Sequence, residues 1–130
     1  KKKLKFINKF SEIDEKYDIV FFGSSIQYLR DPINILSRLL EKKIKYLLFI
    51  DLYLTKSKTF YTRQIHYNFE AAHSFININN FESIFKNKYE IISKSYSHTI
   101  RLSKIGYIDM SNFKKKHRIK NSLNYLMMSK

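Results

Sequence analysis

Apolar positions in the first half of the chain form two short continuous runs with a helical pattern between them. Residues 17–23 (YDIVFFG) and 44–52 (IKYLLFIDL) are β-prone and nearly all apolar, which is typical of strands buried on both faces of a parallel sheet. Asp31 followed by Pro32 predicts a helix start, with Asp as the N-cap and Pro at the first helical position. Apolar residues then recur at helical spacing: Ile33, Leu36, Leu39 and Leu40. The charged residues 41–43 end this helix, so we predict a parallel β-α-β unit over residues 17–52.

The middle of the chain loses this regularity. Residues 53–76 show no clean period, and we predict a long loop, of the length that in compact domains is usually functional or disordered. Asn77 then predicts the cap of a helix over residues 78–87. Three apolar residues of that helix are predicted to face inward: Phe81, Ile84 and Phe85.

The last third of the chain supplies two more strand candidates. Residues 89–96 (YEIISKSY) alternate well enough for a strand, and residues 122–129 (SLNYLMMS) are predicted to close the sheet antiparallel to a neighbour. Residues 98–121 between them are basic and irregular. An additional short strand is predicted near the start of the chain, at Leu4, Phe6 and Ile7. We find no internal repeat and no domain boundary, which indicates a single domain.

Composition excludes several classes of protein. The chain has no Cys, which excludes a disulfide scaffold, a thiolate zinc site and a thiol nucleophile. Two Gly and one Pro exclude collagen-like and low-complexity chains, and an aromatic content of 16% argues against disorder. No apolar run approaches the roughly 18–20 residues of a membrane span, and no signal peptide opens the sequence. We therefore expect a cytoplasmic globular protein.

The net charge of +14, from 25 Lys and Arg against 11 Asp and Glu, has two interpretations. Clustered cations release counterions from phosphates, so the run from Lys114 to Arg118 (KKKHR) is a candidate nucleic-acid-binding element. Alternatively, the charge reflects overall composition and a solvated face, since Lys outnumbers Arg 20 to 5 and nucleic-acid recognition tends to use Arg. A basic nucleic-acid-binding domain therefore stays open as one alternative function.

Three segments resemble the C-terminal half of class I S-adenosylmethionine-dependent methyltransferases. The segment YDIVFFGSSIQYLRDP (residues 17–32) resembles the fourth strand and the turn after it, where small residues precede Gln-Tyr-Leu and an acid-Pro helix start. The segment KYLLFIDL (residues 45–52) is similar to the fifth strand. The segment HYNFEAAHSFININNFESIFKNKYEII (residues 66–92) resembles the next helix and its flanks in a family of bacterial methyltransferases often associated with surface-polysaccharide gene clusters. The resemblance covers about residues 4–130.

The resemblance implies a Rossmann-like α/β sheet with an antiparallel closing strand, in the strand order 3-2-1-4-5-7-6. The family's Gly-rich loop is missing here, because Gly23 and Gly106 are the chain's two glycines and neither belongs to a G-x-G motif. Residues 1–130 would then form one partial domain that lacks the N-terminal Gly-rich β-α unit. The strand at residues 17–23 would be an open edge, which a second copy of the chain could cover. A non-catalytic dimerisation module is therefore the other alternative function.

The resemblance also implies a cofactor site. Ligands of open α/β sheets bind beyond the carboxyl ends of the strands, where Gly23, Ser24, Ser25 and Gln27 follow the strand at residues 17–23. The backbone of Gly23 and Ser24 would touch the amino-acid end of S-adenosylmethionine, and Gln27 would face the cofactor or the substrate. An ordinary strand-to-helix turn is the alternative. Because the Gly-rich unit is missing, we expect weak cofactor binding, or none, by this chain alone.

Four further residues are candidates for the chemistry of methyl transfer. Asp51, near the end of the second buried strand, could orient a substrate or act as a base, and it could equally cap a neighbouring loop. His66, Tyr67 and His73 lie in the segment that often covers the substrate in this fold. Tyr67 and His73 are candidate substrate contacts, and His66 and His73 are candidate general bases near neutral pH. No H-x-x-x-H or H-E-x-x-H spacing is present, so no metal site is expected. The methyl acceptor would be a small molecule or a sugar, and a macromolecule also stays open.

Overall fold

The computed structural model describes residues 6, 9–13, 17–66, 68–97 and 110–130, without the side chains of His66 and Phe69. Its helices and strands, in chain order, are β1 (Ile19–Gly23), α1 (Pro32–Leu39), β2 (Tyr46–Leu52), β3 (Leu54–Thr55), β4 (Phe60–His66), β5 (Phe69–Asn77), α2 (Ile78–Phe85), β6 (Tyr89–Tyr96) and β7 (Leu123–Ser129). Short 3-10 helices lie at Phe10–Glu12, Ile26–Tyr28 and Lys115–His117. The described strands form two open sheets, one of four strands and one of three. The protein is therefore of the mixed α/β class that the sequence predicts.

The four-stranded sheet has the order β1-β2-β7-β6. Strands β1 and β2 pair in parallel, with Ile19 opposite Tyr46 and Gly23 opposite Ile50. Strand β7 is antiparallel to both of its neighbours, β2 and β6. The predicted parallel β-α-β unit and the antiparallel closing strand are thus both confirmed, and β7 lies inside the sheet.

Both helices begin where their capping residues predict. The Asp31 side chain accepts a hydrogen bond from the Asn34 backbone N at 3.2 Å, and the Asn77 side chain accepts one from the Asn80 backbone N at 3.0 Å. These bonds satisfy backbone donors that the first helical turn leaves without partners. Helix α1 ends at Leu39 rather than at residues 41–43, and the chain continues in tighter turns.

The hydrophobic core lies on one face of the four-stranded sheet, beneath both helices. Helices α1 and α2 contribute Leu36, Leu39, Phe81 and Phe85, and the strands contribute Leu47, Phe49, Tyr125 and Met127. The Phe49 ring contacts the Phe81 ring at 5.3 Å between centroids. Ile84 packs against this cluster while partly buried, so the predicted inward face of α2 is confirmed.

Strand β1 is less buried than its sequence predicts. Burial on both faces is wrong for residues 17–23, because β1 alternates between partly buried and exposed positions. Val20 and Phe22 pack against the core, whereas Ile19 and Phe21 are 49% and 61% exposed. The physical reason is that the core and both helices lie on the opposite side of the sheet from these two side chains.

The prediction of a long loop over residues 53–76 is wrong. This segment contains β3 and an antiparallel hairpin of β4 and β5, and β3 pairs in parallel with β5. The sequence here lacks the regular apolar-polar alternation that indicates a half-buried strand. Four consecutive residues of β5, from His73 to Ile76, are all buried, whereas Tyr61 and Ile65 of β4 are apolar but 61% and 73% exposed.

Several other predictions concern the ends of the chain. The predicted strand at residues 89–96 is confirmed as β6, and the closing strand is shorter by one residue than predicted. The predicted irregular segment lies outside the described residues over 98–109, and residues 110–121 contain one 3-10 turn. Of the short strand predicted near the start, only Phe6 is described, and it is not in a strand. Within the described ranges, no helix has the length and apolar character that crossing a membrane requires.

Candidate functional site

Two residues with strained backbones meet at the carboxyl ends of β1 and β2. Ser24 has φ 47° and Asp51 has φ 58°, and they are the only non-glycine residues with a positive φ in the described part of the chain. This left-handed conformation costs a non-glycine residue roughly 1–2 kcal/mol, and such strain is concentrated at functional sites. The Ser24 backbone N donates to the Ile50 carbonyl at 2.9 Å, which holds the two residues side by side.

The Asp51 carboxylate joins three parts of the chain. It is 8% exposed, and it accepts hydrogen bonds from the Ser24 hydroxyl at 3.0 Å and from the Ser122 hydroxyl at 3.1 Å. The Asp51 backbone N donates to the Asn124 side chain at 3.1 Å. The carboxylate therefore links the loop after β1 to the loop before β7. This arrangement matches the loop-capping interpretation of Asp51, and it also fixes an acceptor group at the edge where ligands of α/β sheets bind.

The predicted cofactor residues lie in different environments. Gly23, Ser24 and Ser25 are exposed, in agreement with a position at the mouth of a site. Gln27 lies in the 3-10 helix at Ile26–Tyr28, is 2% exposed, and points its amide into the protein. The side-chain Nε2 and Oε1 atoms of Gln27 are buried without a hydrogen bond to any described residue. The backbone carbonyl of Gln27 accepts a hydrogen bond from the Ser74 hydroxyl at 3.1 Å.

His73 lies in an aromatic pocket formed by the second sheet. Its ring is 4.9 Å from the Tyr53 ring, 5.2 Å from the Tyr28 ring and 4.8 Å from the Phe75 ring, between centroids. Burial lowers the pKa of His73 from 6.5 to about 4, so the imidazole is neutral at pH 7. A pKa this far below the working pH makes His73 a weak general base. Its Nδ1 atom is buried and makes no hydrogen bond within the described structure.

Tyr53 connects the aromatic pocket with Asp51. Burial raises the pKa of Tyr53 above its usual 10, and the nearby Tyr28 and Asp51 raise it further. Tyr53 and His73 also line a cavity of about 390 Å³, together with residues of β4 and of the segment at 110–113. The phenol and imidazole rings therefore face a space that a small molecule could enter.

The remaining sequence candidates lie elsewhere or are not described. His66 pairs with Phe69 at the closed end of the β4–β5 hairpin, and Tyr67 lies outside the described residues. The basic run from Lys114 to Arg118 forms an exposed 3-10 turn, from which the His117 ring contacts the Phe60 ring at 4.8 Å. No three His, Asp or Glu side chains of the described ranges lie close enough together to hold a metal ion.

Sequence reasoning missed Ser122, Asn124 and Tyr53 as parts of the site. Ser122 and Asn124 belong to the closing strand and its approach, and the hydrogen bond from Ser122 to Asp51 spans 71 residues of sequence. No spacing motif reports a contact between residues so far apart. Tyr53 follows β2 directly, so the position after a buried parallel strand was the one available signal.

Comparison with known proteins does not identify the chain. No protein-family model matches the sequence, and a search of curated proteins found no match. The assignment of a function therefore depends on the fold and on the geometry at the carboxyl ends of the strands.

Proposed function

We propose that the chain is the C-terminal part of a cytoplasmic S-adenosylmethionine-dependent methyltransferase. The observation that carries the proposal is the strand order β1-β2-β7-β6, in which β7 alone is antiparallel. The sequence resemblance implies this order for the strands numbered 4-5-7-6 in a Rossmann-like methyltransferase sheet. The agreement supports the proposal because β7 is antiparallel and lies between β2 and β6, as the resemblance implies for residues 122–129.

In this proposal the loop after β1 holds part of the cofactor. The exposed backbone of Gly23 and Ser24 touches the amino-acid end of S-adenosylmethionine, and Ser25 forms the rim of the site. The strained Ser24 and Asp51 keep this loop in one shape, which lowers the ordering cost of binding. Transfer of a methyl group needs alignment of the acceptor with the cofactor, and a strong general base is not required. The low pKa of His73 is therefore compatible with the proposal.

Calorimetric titration with S-adenosylmethionine tests the proposal. We expect weak or undetectable binding by residues 1–130, because the Gly-rich unit is missing, and clear binding by the full product of the open reading frame. In that full product, Ser25→Leu should weaken binding at least about tenfold by blocking the rim, whereas Ser83→Leu, exposed on α2, should leave it unchanged. Ser25 makes no side-chain capping bond, so the substitution removes no helix cap. Failure of the full product to bind the cofactor would overturn the proposal.

The open edge of β1 favours a second candidate function, a non-catalytic module that dimerises. Within the described structure β1 pairs with β2 only, and its Ile19 and Phe21 are about half exposed. Two copies that pair their β1 strands about a twofold axis would satisfy the free backbone groups and bury these side chains.

Light scattering over a range of concentrations separates the two candidates. Dimerisation through β1 predicts that Phe21→Lys gives a monomer, while Tyr61→Lys, at a position that is also 61% exposed but on β4, leaves the dimer intact. A chain that stays monomeric at every concentration rules out the dimerisation module and leaves the methyltransferase proposal standing.

A further inference from the structure

A concavity on the described structure is strongly basic. It has a volume of about 800 Å³ and lies between the turn after β3, the start of α2, the end of β6 and the segment leading into β7. Five cationic side chains line it: Lys56, Lys94, Lys116, Arg118 and Lys120. None of the described residues that line it is Asp or Glu. Of the five cations, only Lys94 is paired with a described acid, Glu82, at 2.7 Å.

The turn that carries Lys56 is held in place from two sides. The Asn77 side chain donates to the Ser57 carbonyl at 2.8 Å, and the Asn77 backbone N donates to the Thr59 hydroxyl at 2.9 Å. The Ser57 hydroxyl donates to the Lys116 carbonyl across the cavity rim. Lys56 and Lys116 are therefore kept near each other by contacts that do not use their charges.

The segment that carries Lys116 and Arg118 is anchored by further contacts. Arg118 donates from Nε to the Phe113 carbonyl at 2.7 Å and from Nη2 to the Ser111 carbonyl at 2.8 Å. The Phe113 and His117 rings pack against Phe60 of the hairpin. Like charges that are fixed around one space repel each other, and a bound anion removes that repulsion.

The type of cation and the shape of the space indicate which anion fits. Four of the five cations are Lys, which bind phosphate as compact point charges, whereas base recognition tends to use the planar fork of Arg. Apolar residues and the ring of Tyr96, which is 68% exposed, also line the cavity, and they offer contact to a ring or an apolar group. A volume of about 800 Å³ lies in the range of small-molecule sites. We propose that this cavity binds a small molecule that carries a diphosphate attached to a ring, such as a nucleoside diphosphate.

The proposal stands on the cavity and its charges, and it does not depend on methyl transfer. The cavity adjoins the candidate cofactor site, because Asn121 and Leu123 line it on either side of Ser122, which donates to Asp51. A diphosphate compound bound here would lie close to the carboxyl ends of β2 and β6.

Titration calorimetry without any methyl donor tests the site directly. We expect adenosine diphosphate and pyrophosphate to bind, adenosine to bind at least about tenfold more weakly, and the affinity for the diphosphate to fall as salt is raised. The double variant Lys116→Gln/Lys120→Gln should weaken binding of the diphosphate at least about tenfold. The matched control is Lys114→Gln/Lys115→Gln, which removes the same charge from the same segment at residues outside the cavity lining.

Three outcomes would overturn the proposal. The first is undetectable binding of both phosphate compounds by the unmodified chain. The second is equal weakening by the two double variants, which would show attraction to the general positive charge. The third is tighter binding of a single-stranded oligonucleotide than of adenosine diphosphate, together with equal losses of oligonucleotide affinity in both double variants. That result would assign the basic segment to nucleic-acid binding. Circular dichroism of each variant confirms that a loss of binding is not a loss of folding.

Discussion

Replacing Asp51 tests whether the junction of β1, β2 and β7 depends on one buried carboxylate. Asp51→Ala removes the acceptor for the hydroxyls of Ser24 and Ser122, and Ser122 is 1% exposed. A hydrogen bond to a charged group contributes about 1.5–3 kcal/mol, so the two bonds together are worth roughly 3–6 kcal/mol before the relief of carboxylate desolvation. We therefore expect Asp51→Ala to lower the free energy of unfolding by about 3 kcal/mol.

Asp51→Asn provides the internal comparison. Asn keeps one acceptor oxygen and is among the residues that best tolerate a positive φ, which is 58° at this position, so we expect a loss of about 1 kcal/mol. Asp18→Ala is the matched control, because Asp18 is exposed and directly precedes β1. It should change stability by less than about 0.5 kcal/mol.

Urea denaturation followed by far-ultraviolet circular dichroism measures these differences, since the chain contains no Trp for fluorescence. The reasoning is refuted if Asp51→Ala lies within about 0.5 kcal/mol of the unmodified chain, or if Asn costs as much as Ala. The first result would mean that the carboxylate carries no net stability. The second would mean that its charge, rather than its position as an acceptor, holds the junction.

Three further substitutions follow from buried or capping side chains. Gln27→Leu removes a buried amide that lacks hydrogen bonds to the described residues and should raise the free energy of unfolding by about 1 kcal/mol. A decrease of similar size in the free energy of unfolding would show that the amide has a partner. Burial lowers the pKa of His73 to about 4, so the His73 imidazole binds a proton more tightly in the unfolded chain than in the folded one. The contribution of neutral His73 to stability is therefore fully present above pH 6.5 and falls as the pH drops towards 4. His73→Phe should flatten that part of the pH profile, and an unchanged profile would assign it to other groups. Asn77→Ala removes a helix cap and a hydrogen bond to Ser57, and it should lower the free energy of unfolding, measured by urea denaturation, by about 1–2 kcal/mol. Asn79→Ala, at an exposed position of the same helix, should lower it much less.

The parts of the fold that could be predicted are those with local causes. Asp31 and Asn77 cap their helices through backbone groups three residues away, so the spacing alone reveals them. The runs at residues 17–23 and 44–52 are short and strongly apolar, and each contains the strand that it predicts. The Ser24 and Asp51 positions also followed from a general rule, because ligand-binding loops come after parallel strands.

The parts that could not be predicted depend on contacts between distant segments. The hairpin of β4 and β5 packs against the aromatic segment at residues 110–117, through rings such as Phe113, and four consecutive residues of β5 are buried. The exposure of Phe21 depends on which face of the sheet the helices occupy, and strand composition carries no information on that choice. The basic cavity likewise joins Lys56 to Lys120, which the sequence separates widely.

The central position of β7 has a consequence for how the protein is made. Strand β7 follows all the other described strands in the chain, yet in the described sheet it is the strand that joins β6 to β2. During synthesis, β1, α1, β2 and β6 therefore leave the ribosome before the strand that unites them exists. Until Leu123–Ser129 emerges, β2 and β6 lack the strand that pairs with both of them, and unpaired strand edges favour aggregation. Without Leu123–Ser129, β1 and β2 would form one piece of the sheet and β6 would lack its partner in it.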